Sequence, residues 1–93
     1  MEGFSLEKIS GGKLIKVRVS YENSVKDVKI TGDFFLYPDD GLDKIENSMH
    51  GISKDASEQN ITDLIKTVIH LNRIQLIGID AQSIARNVKK AMT

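Results

Sequence analysis

The chain has 93 residues, 40% of them hydrophobic and 28% charged, with 13 basic residues balancing 13 acidic ones. That is one domain, residues 1–93, with a core of modest size, and its even charge gives no electrostatic reason to expect nucleic acid or a membrane as partner. With no cysteine there is no disulfide framework, thiol nucleophile or thiolate-held metal or iron–sulfur cluster; no apolar run is long enough to span a bilayer, MEGFSLEK lacks a leader's basic-then-apolar layout, and a cytoplasmic protein is expected.

Phe4, Leu6 and Ile9 alternate weakly and suggest a short first strand ahead of Ser10-Gly11-Gly12-Lys13. From Lys13 the alternation is clear: Ile15, Val17, Val19 and Tyr21 point one way, and Lys16, Arg18 and Ser20 the other. Glu22-Asn23-Ser24 is turn chemistry, because Asn tolerates a left-handed backbone. A second alternation follows, with Val28, Ile30, Gly32, Phe34 and Leu36 opposite Lys29, Thr31, Asp33, Phe35 and Tyr37. Residues 13–37 therefore read as an antiparallel hairpin with ITGDFFLYP in its return strand. Pro38 ends that strand and suits the first position of a helix, with Asp39 and Asp40 placed for the helix dipole. Leu42, Ile45 and Met49 follow at helical spacing, and Gly51 is a stop. Asp55 with Glu58 reads as a capping arrangement for a helix whose inner stripe is Ile61, Leu64, Ile65, Val68 and Ile69. The stretch from Asn72 to Gly78 reads either as a helix end and turn or as a short strand. Asp80 caps a last helix with Ile84, Val88 and Ala91 inward. Strands first (4–37) and mainly helices after (38–92) predict an α+β fold: an antiparallel sheet of about three strands with two to three helices on one face.

No motif for chemistry confined to this chain stands out. His50 and His70 lie twenty positions apart with no convergent third ligand, and no nucleophile elbow, Walker or GxGxxG sequence occurs. Two places stand apart. At Gly11-Gly12-Lys13 a permissive backbone precedes a lysine able to act as a point charge for phosphate; a plain flexible loop before a solvated strand start is the competing account. At Gly32-Asp33-Phe34-Phe35 a glycine interrupts a strand, which marks a bulge or close backbone approach. If alternation holds, Phe34 packs inward while Phe35 and Tyr37 project beside Asp33. Rings there need a cover, supplied by the N-terminal segment, the last helix or a partner. Lys16, Arg18 and Lys29 on the polar strand face read as a solvated surface.

A GGK leading into an alternating strand, then a return strand ITGDFFLYPDD and Leu42-Asp43-Lys44-Ile45-Glu46, resembles the C-terminal accessory domain of lipoate–protein ligases over about residues 4–92. Nothing in the chain resembles that family's large catalytic domain, so it looks like the small domain made as a free-standing subunit, as in bipartite archaeal ligases. The resemblance implies an α+β sandwich akin to the iron–sulfur scaffold proteins. It implies a non-catalytic subunit that docks on a separate catalytic subunit as a heterodimer and is required for ATP-dependent activation of lipoate to lipoyl-adenylate. ATP, Mg and lipoate are expected on that partner, with no cofactor or metal held by this chain alone. Lipoyl acceptor proteins are engaged only indirectly, and nucleic acid and membrane not at all. Position by position, Gly11, Gly12 and Lys13 match the family's GGK, and Gly32, Asp33, Phe34 and Phe35 its GDFF. These, with Tyr37, are the residues expected to face the partner or its active site. The alternative is an interaction module unrelated to lipoate.

Overall fold

The computed structural model describes residues 1–9, 11 and 13–93; Ser10 and Gly12 lie outside the described residues. Strands β1 (Glu2–Ile9), β2 (Lys13–Tyr21) and β3 (Val25–Gly32) form an antiparallel sheet in the order β1-β2-β3. Then come β4 (Phe35–Tyr37), α1 (Gly41–Ser48), α2 (Glu58–Leu71), β5 (Gln75–Ile77) and α3 (Ala81–Ala91). The fold is α+β, with a three-stranded antiparallel sheet and three helices, as the sequence predicts. The inward residues Ile15, Val17, Val19, Val28 and Ile30 are buried with Ile45, Met49, Ile61, Ile65, Ile84 and Val88 in one core between sheet and helices. The opposite sheet face is left open.

The hairpin is shorter than expected. The return strand stops at Gly32, and β4 pairs not with β2 but with β5, in the register Phe35↔Ile77, Leu36↔Leu76, Tyr37↔Gln75. Backbone approach forces the break: a side chain at Gly32 would collide with the Leu14 carbonyl oxygen, and Gly32 adopts φ +155°. Just past it the Asp33 N–H donates to that same oxygen at 2.9 Å, and the chain turns out of the sheet. The inside–outside alternation nevertheless survives the corner. Phe34 and Leu36 pack on the core, and Phe35 and Tyr37 face out.

Two helix starts also differ from expectation. Pro38 lies before α1 in a turn closed by Gly41 N–H donating to the Pro38 carbonyl at 2.8 Å, so it ends β4 without being the first helical residue. Asp40 occupies the cap position without a side-chain cap bond and instead pairs with Lys44 at 3.5 Å. For α2 the cap is Ser57, whose hydroxyl oxygen accepts from Asn60 N–H at 3.0 Å. Asp55 is held one turn earlier, its own N–H donating to Ser53 Oγ at 3.1 Å. Asp80 caps α3 as expected, in a reciprocal box with Ser83 at 2.7 and 3.1 Å.

Two carboxylates, Glu46 buried and Glu7 partly buried, tie helices to strands. Glu46 of α1 accepts from the Ile30 N–H at 2.8 Å, covering part of β3's outer edge. Burial pushes its carboxyl above the ordinary value, and that hydrogen bond opposes the rise. On the other side β1 turns polar residues inward. Ser5 Oγ donates to Asn87 Oδ1 at 2.6 Å, and Asn87 Nδ2 donates to Glu7 Oε1 at 2.8 Å. Arg86 grips Glu7 bidentately at 3.0 and 2.8 Å. Those hydrogen bonds from Arg86 are the chief cause of a Glu7 carboxyl held below its ordinary value, with desolvation acting the other way.

Candidate functional site

The β1–β2 connection and the corner after β3 come together at one end of the sheet. Strand pairing dictates this: Ile15 lies opposite Gly32, so Lys13 and Gly11, just before it, stand beside Asp33 and Phe34, just after. Between them lies an open cleft of about 460 Å³ lined by Gly11, Lys13, Gly32, Asp33, Phe34 and Phe35. Two segments read separately along the sequence thus line a single cleft. Gly12 falls outside the described residues, and Tyr37 is not part of the cleft lining but stands farther along the ribbon.

Lys13 is exposed, and among the described residues no carboxylate lies within 4 Å of its ammonium group. Gly11, at φ +91°, brings main chain rather than side chain to the rim. Phe34 is half-buried and anchors the corner to the core. Phe35 and Tyr37 are 71% and 69% exposed, so neither the N-terminal segment nor the last helix covers them.

Sequence reasoning missed a third apolar residue here. Ile77, 61% exposed, pairs directly with Phe35 across the ribbon and extends the patch formed by Phe35 and Tyr37. The signal was present in Gln75-Leu76-Ile77, where Leu76 packs inward between two exposed neighbours. Three residues, however, are too short a run to distinguish a strand period from a helix end.

The set is suited to binding rather than to chemistry of its own: a point charge with no carboxylate partner among the described residues, closely approachable backbone and an apolar wall. Among the described residues no group of three or more His, Cys, Asp or Glu is placed to hold a metal. The second histidine of the sequence, His70, lies on α2, while His50 stands 3.5 Å from Asp27. Among the described residues no helix is long and apolar enough to cross a membrane.

No family model matches the chain. Over 54 residues, 57% of this chain, it is 35% identical to Lipoate-protein ligase A subunit 2 of Thermoplasma acidophilum, and the match spans 53% of that relative. Its fold matches a chain in the solved structure of an archaeal lipoylation system, a bipartite lipoate protein ligase and its E2 lipoyl domain, from Thermoplasma acidophilum. That match has a TM-score of 0.69 at 23% identity, and covers 100% of this chain and 96% of that one. By sequence over part of its length the chain is thus similar to subunit 2 of an archaeal lipoate–protein ligase, and over all of its length it shares the fold of a chain from a bipartite lipoate ligase system.

Proposed function

We propose that the chain is the non-catalytic accessory subunit of a bipartite lipoate–protein ligase, docking on a separate catalytic subunit as a heterodimer in the cytoplasm. In this reading it is required for ATP-dependent activation of lipoate to lipoyl-adenylate. ATP, Mg and lipoate are held by the partner, and acceptor proteins meet this chain only indirectly. The observation that carries the reading is the cleft in which Gly11 and Lys13 meet Gly32, Asp33, Phe34 and Phe35. A rim with a cation that has no carboxylate partner among the described residues, and with an exposed ring, is suited to completing a pocket elsewhere. Lys13 steadies phosphate charge as pyrophosphate departs, and Phe35, Tyr37 and Ile77 are apolar anchors. The kinship with the iron–sulfur scaffold fold belongs to the same proposal.

Reconstitution tests it. Lipoate-dependent ATP–pyrophosphate exchange by the catalytic subunit is expected to rise at least tenfold when this chain is added. Lys13→Ala is expected to lower the stimulated rate about tenfold or more without loss of co-purification, since one well-placed charge is typically worth about 1.5–3 kcal/mol. Phe35→Ala is expected to weaken co-purification. No stimulation by the wild-type chain would leave it an interaction module unrelated to lipoate. Full activity with Lys13→Ala would remove the role given to that side chain.

A further inference from the structure

The polarity of β1 is inverted relative to its neighbours. Its inner face carries Ser5 and Glu7 and an apolar residue, Ile9, only at its end, while Phe4 and Leu6, 56% and 54% exposed, stand on the open face of the sheet. A slip of one residue would exchange the two sets and bury the apolar pair. Three devices hold the register against that slip. Ser5 bonds to Asn87, and Glu7 to Arg86 and Asn87. At Gly3, opposite Val19, the α3 end comes so close that any side chain would strike the Ala91 carbonyl oxygen. A buried polar cluster is no more stabilising than a well-packed apolar one would be. What it does secure is the outward display of Phe4 and Leu6.

Charge surrounds that pair. Phe4 lies opposite Arg18, and Leu6 opposite Lys16; Arg18 in turn lies opposite Lys29 across β2 and β3. Phe4, Lys16, Arg18, Lys29 and Thr31 border a groove of about 250 Å³ on this face, and the Lys16 ammonium sits 6.0 Å from the Phe4 ring centre. Among the described residues none of the three cations has a carboxylate within 4 Å. Like charges set directly opposite destabilise a sheet, so the isolated chain bears a cost here that an acidic surface would relieve. A second copy seated on this face would bring cation against cation.

We propose that the open face of the three-stranded sheet is a docking surface for an acidic protein surface with an apolar centre, with Phe4 and Leu6 as anchors and Lys16, Arg18 and Lys29 as the charged rim. The inference rests on the reading above in taking that surface to be on the ligase catalytic subunit. It assigns the grip to a face separate from the cleft.

The test is titration calorimetry of the catalytic subunit with the wild-type chain, Phe4→Ser/Leu6→Ser and Arg18→Glu/Lys29→Glu. The altered side chains are exposed, and circular dichroism checks that each variant keeps the wild-type fold. Both variants are expected to bind at least tenfold more weakly, and raising the salt to 0.5 M, on the order of a 4 Å screening length, to weaken the wild type but not the charge variant. Wild-type binding with unchanged affinity in both variants would overturn this inference and leave the accessory-subunit reading standing. Absence of wild-type binding would overturn both. Retained subunit binding together with variant-sensitive self-association, or variant-sensitive capture of single-stranded DNA or phosphatidylserine vesicles, would also overturn it, by giving the face another occupant.

Discussion

A methyl group at position 32 would run into the Leu14 carbonyl oxygen, which is also the acceptor for Asp33 N–H. Gly32→Ala therefore has to push the corner outward, and is expected to cost about 2–3 kcal/mol in urea denaturation. Gly11→Ala meets only the backbone strain of φ +91°, with open space around it, and is expected to cost about 1 kcal/mol. The sequence marks Gly32 as a close approach because a glycine interrupts an otherwise regular strand, and alternation alone places Phe35 and Tyr37 outward. It does not reveal where the strand ends, since the competing partner, Gln75–Ile77, lies some forty positions away. Nor does it orient Phe4 and Leu6. Hydrophobicity argues for burying them, and only the contacts of Ser5 and Glu7 with α3 overrule it.

At the scale of elements, the two carboxylates that tie helices to strands respond to pH in opposite directions. Glu7 has a lowered carboxyl in the folded protein, so its stabilisation is present above the ordinary carboxylate value and lost as pH falls through the folded one. Glu46 is raised, so its contribution is present below the ordinary value and lost as pH rises through the folded one. In urea midpoints measured from pH 3 to 8, Glu7→Gln is expected to flatten the acid-side fall, which begins at about pH 4–5. Glu46→Gln, whose side-chain carbonyl can still accept from Ile30, is expected to remove the loss on the rising side. Caps give a second comparison: Ser57→Ala is expected to lower stability by about 1 kcal/mol and Asp55→Ala by less than about 0.5 kcal/mol. Helix periods were legible because long stripes such as Ile61 to Ile69 repeat over several turns. The α2 cap was not, because Asp55 and Ser57 both suit a cap, and only the turn in which Asp55 N–H donates to Ser53 Oγ leaves the cap position to Ser57.

For the whole molecule, one core carries everything. A domain of 93 residues has about 5–14 kcal/mol of stability, and truncating one fully buried isoleucine removes about 2–5. Ile84 is completely buried on α3. Ile84→Ala is therefore expected to lower the melting temperature by roughly 8–40 °C, at about 4–8 °C per kcal/mol. The fold class was readable at this scale, because strands precede helices and each carries its own period. The site was readable only as two segments; it took the pairing of Ile15 with Gly32 to make them neighbours. Their neighbourhood has a mechanical corollary. Lys13 belongs to the sheet and Phe35 to the ribbon, two separately hydrogen-bonded ladders joined through Phe34, Leu36 and Leu76, which pack on the common core. The mouth between them is thus braced from beneath, and widening it would mean peeling those three side chains away from the interior.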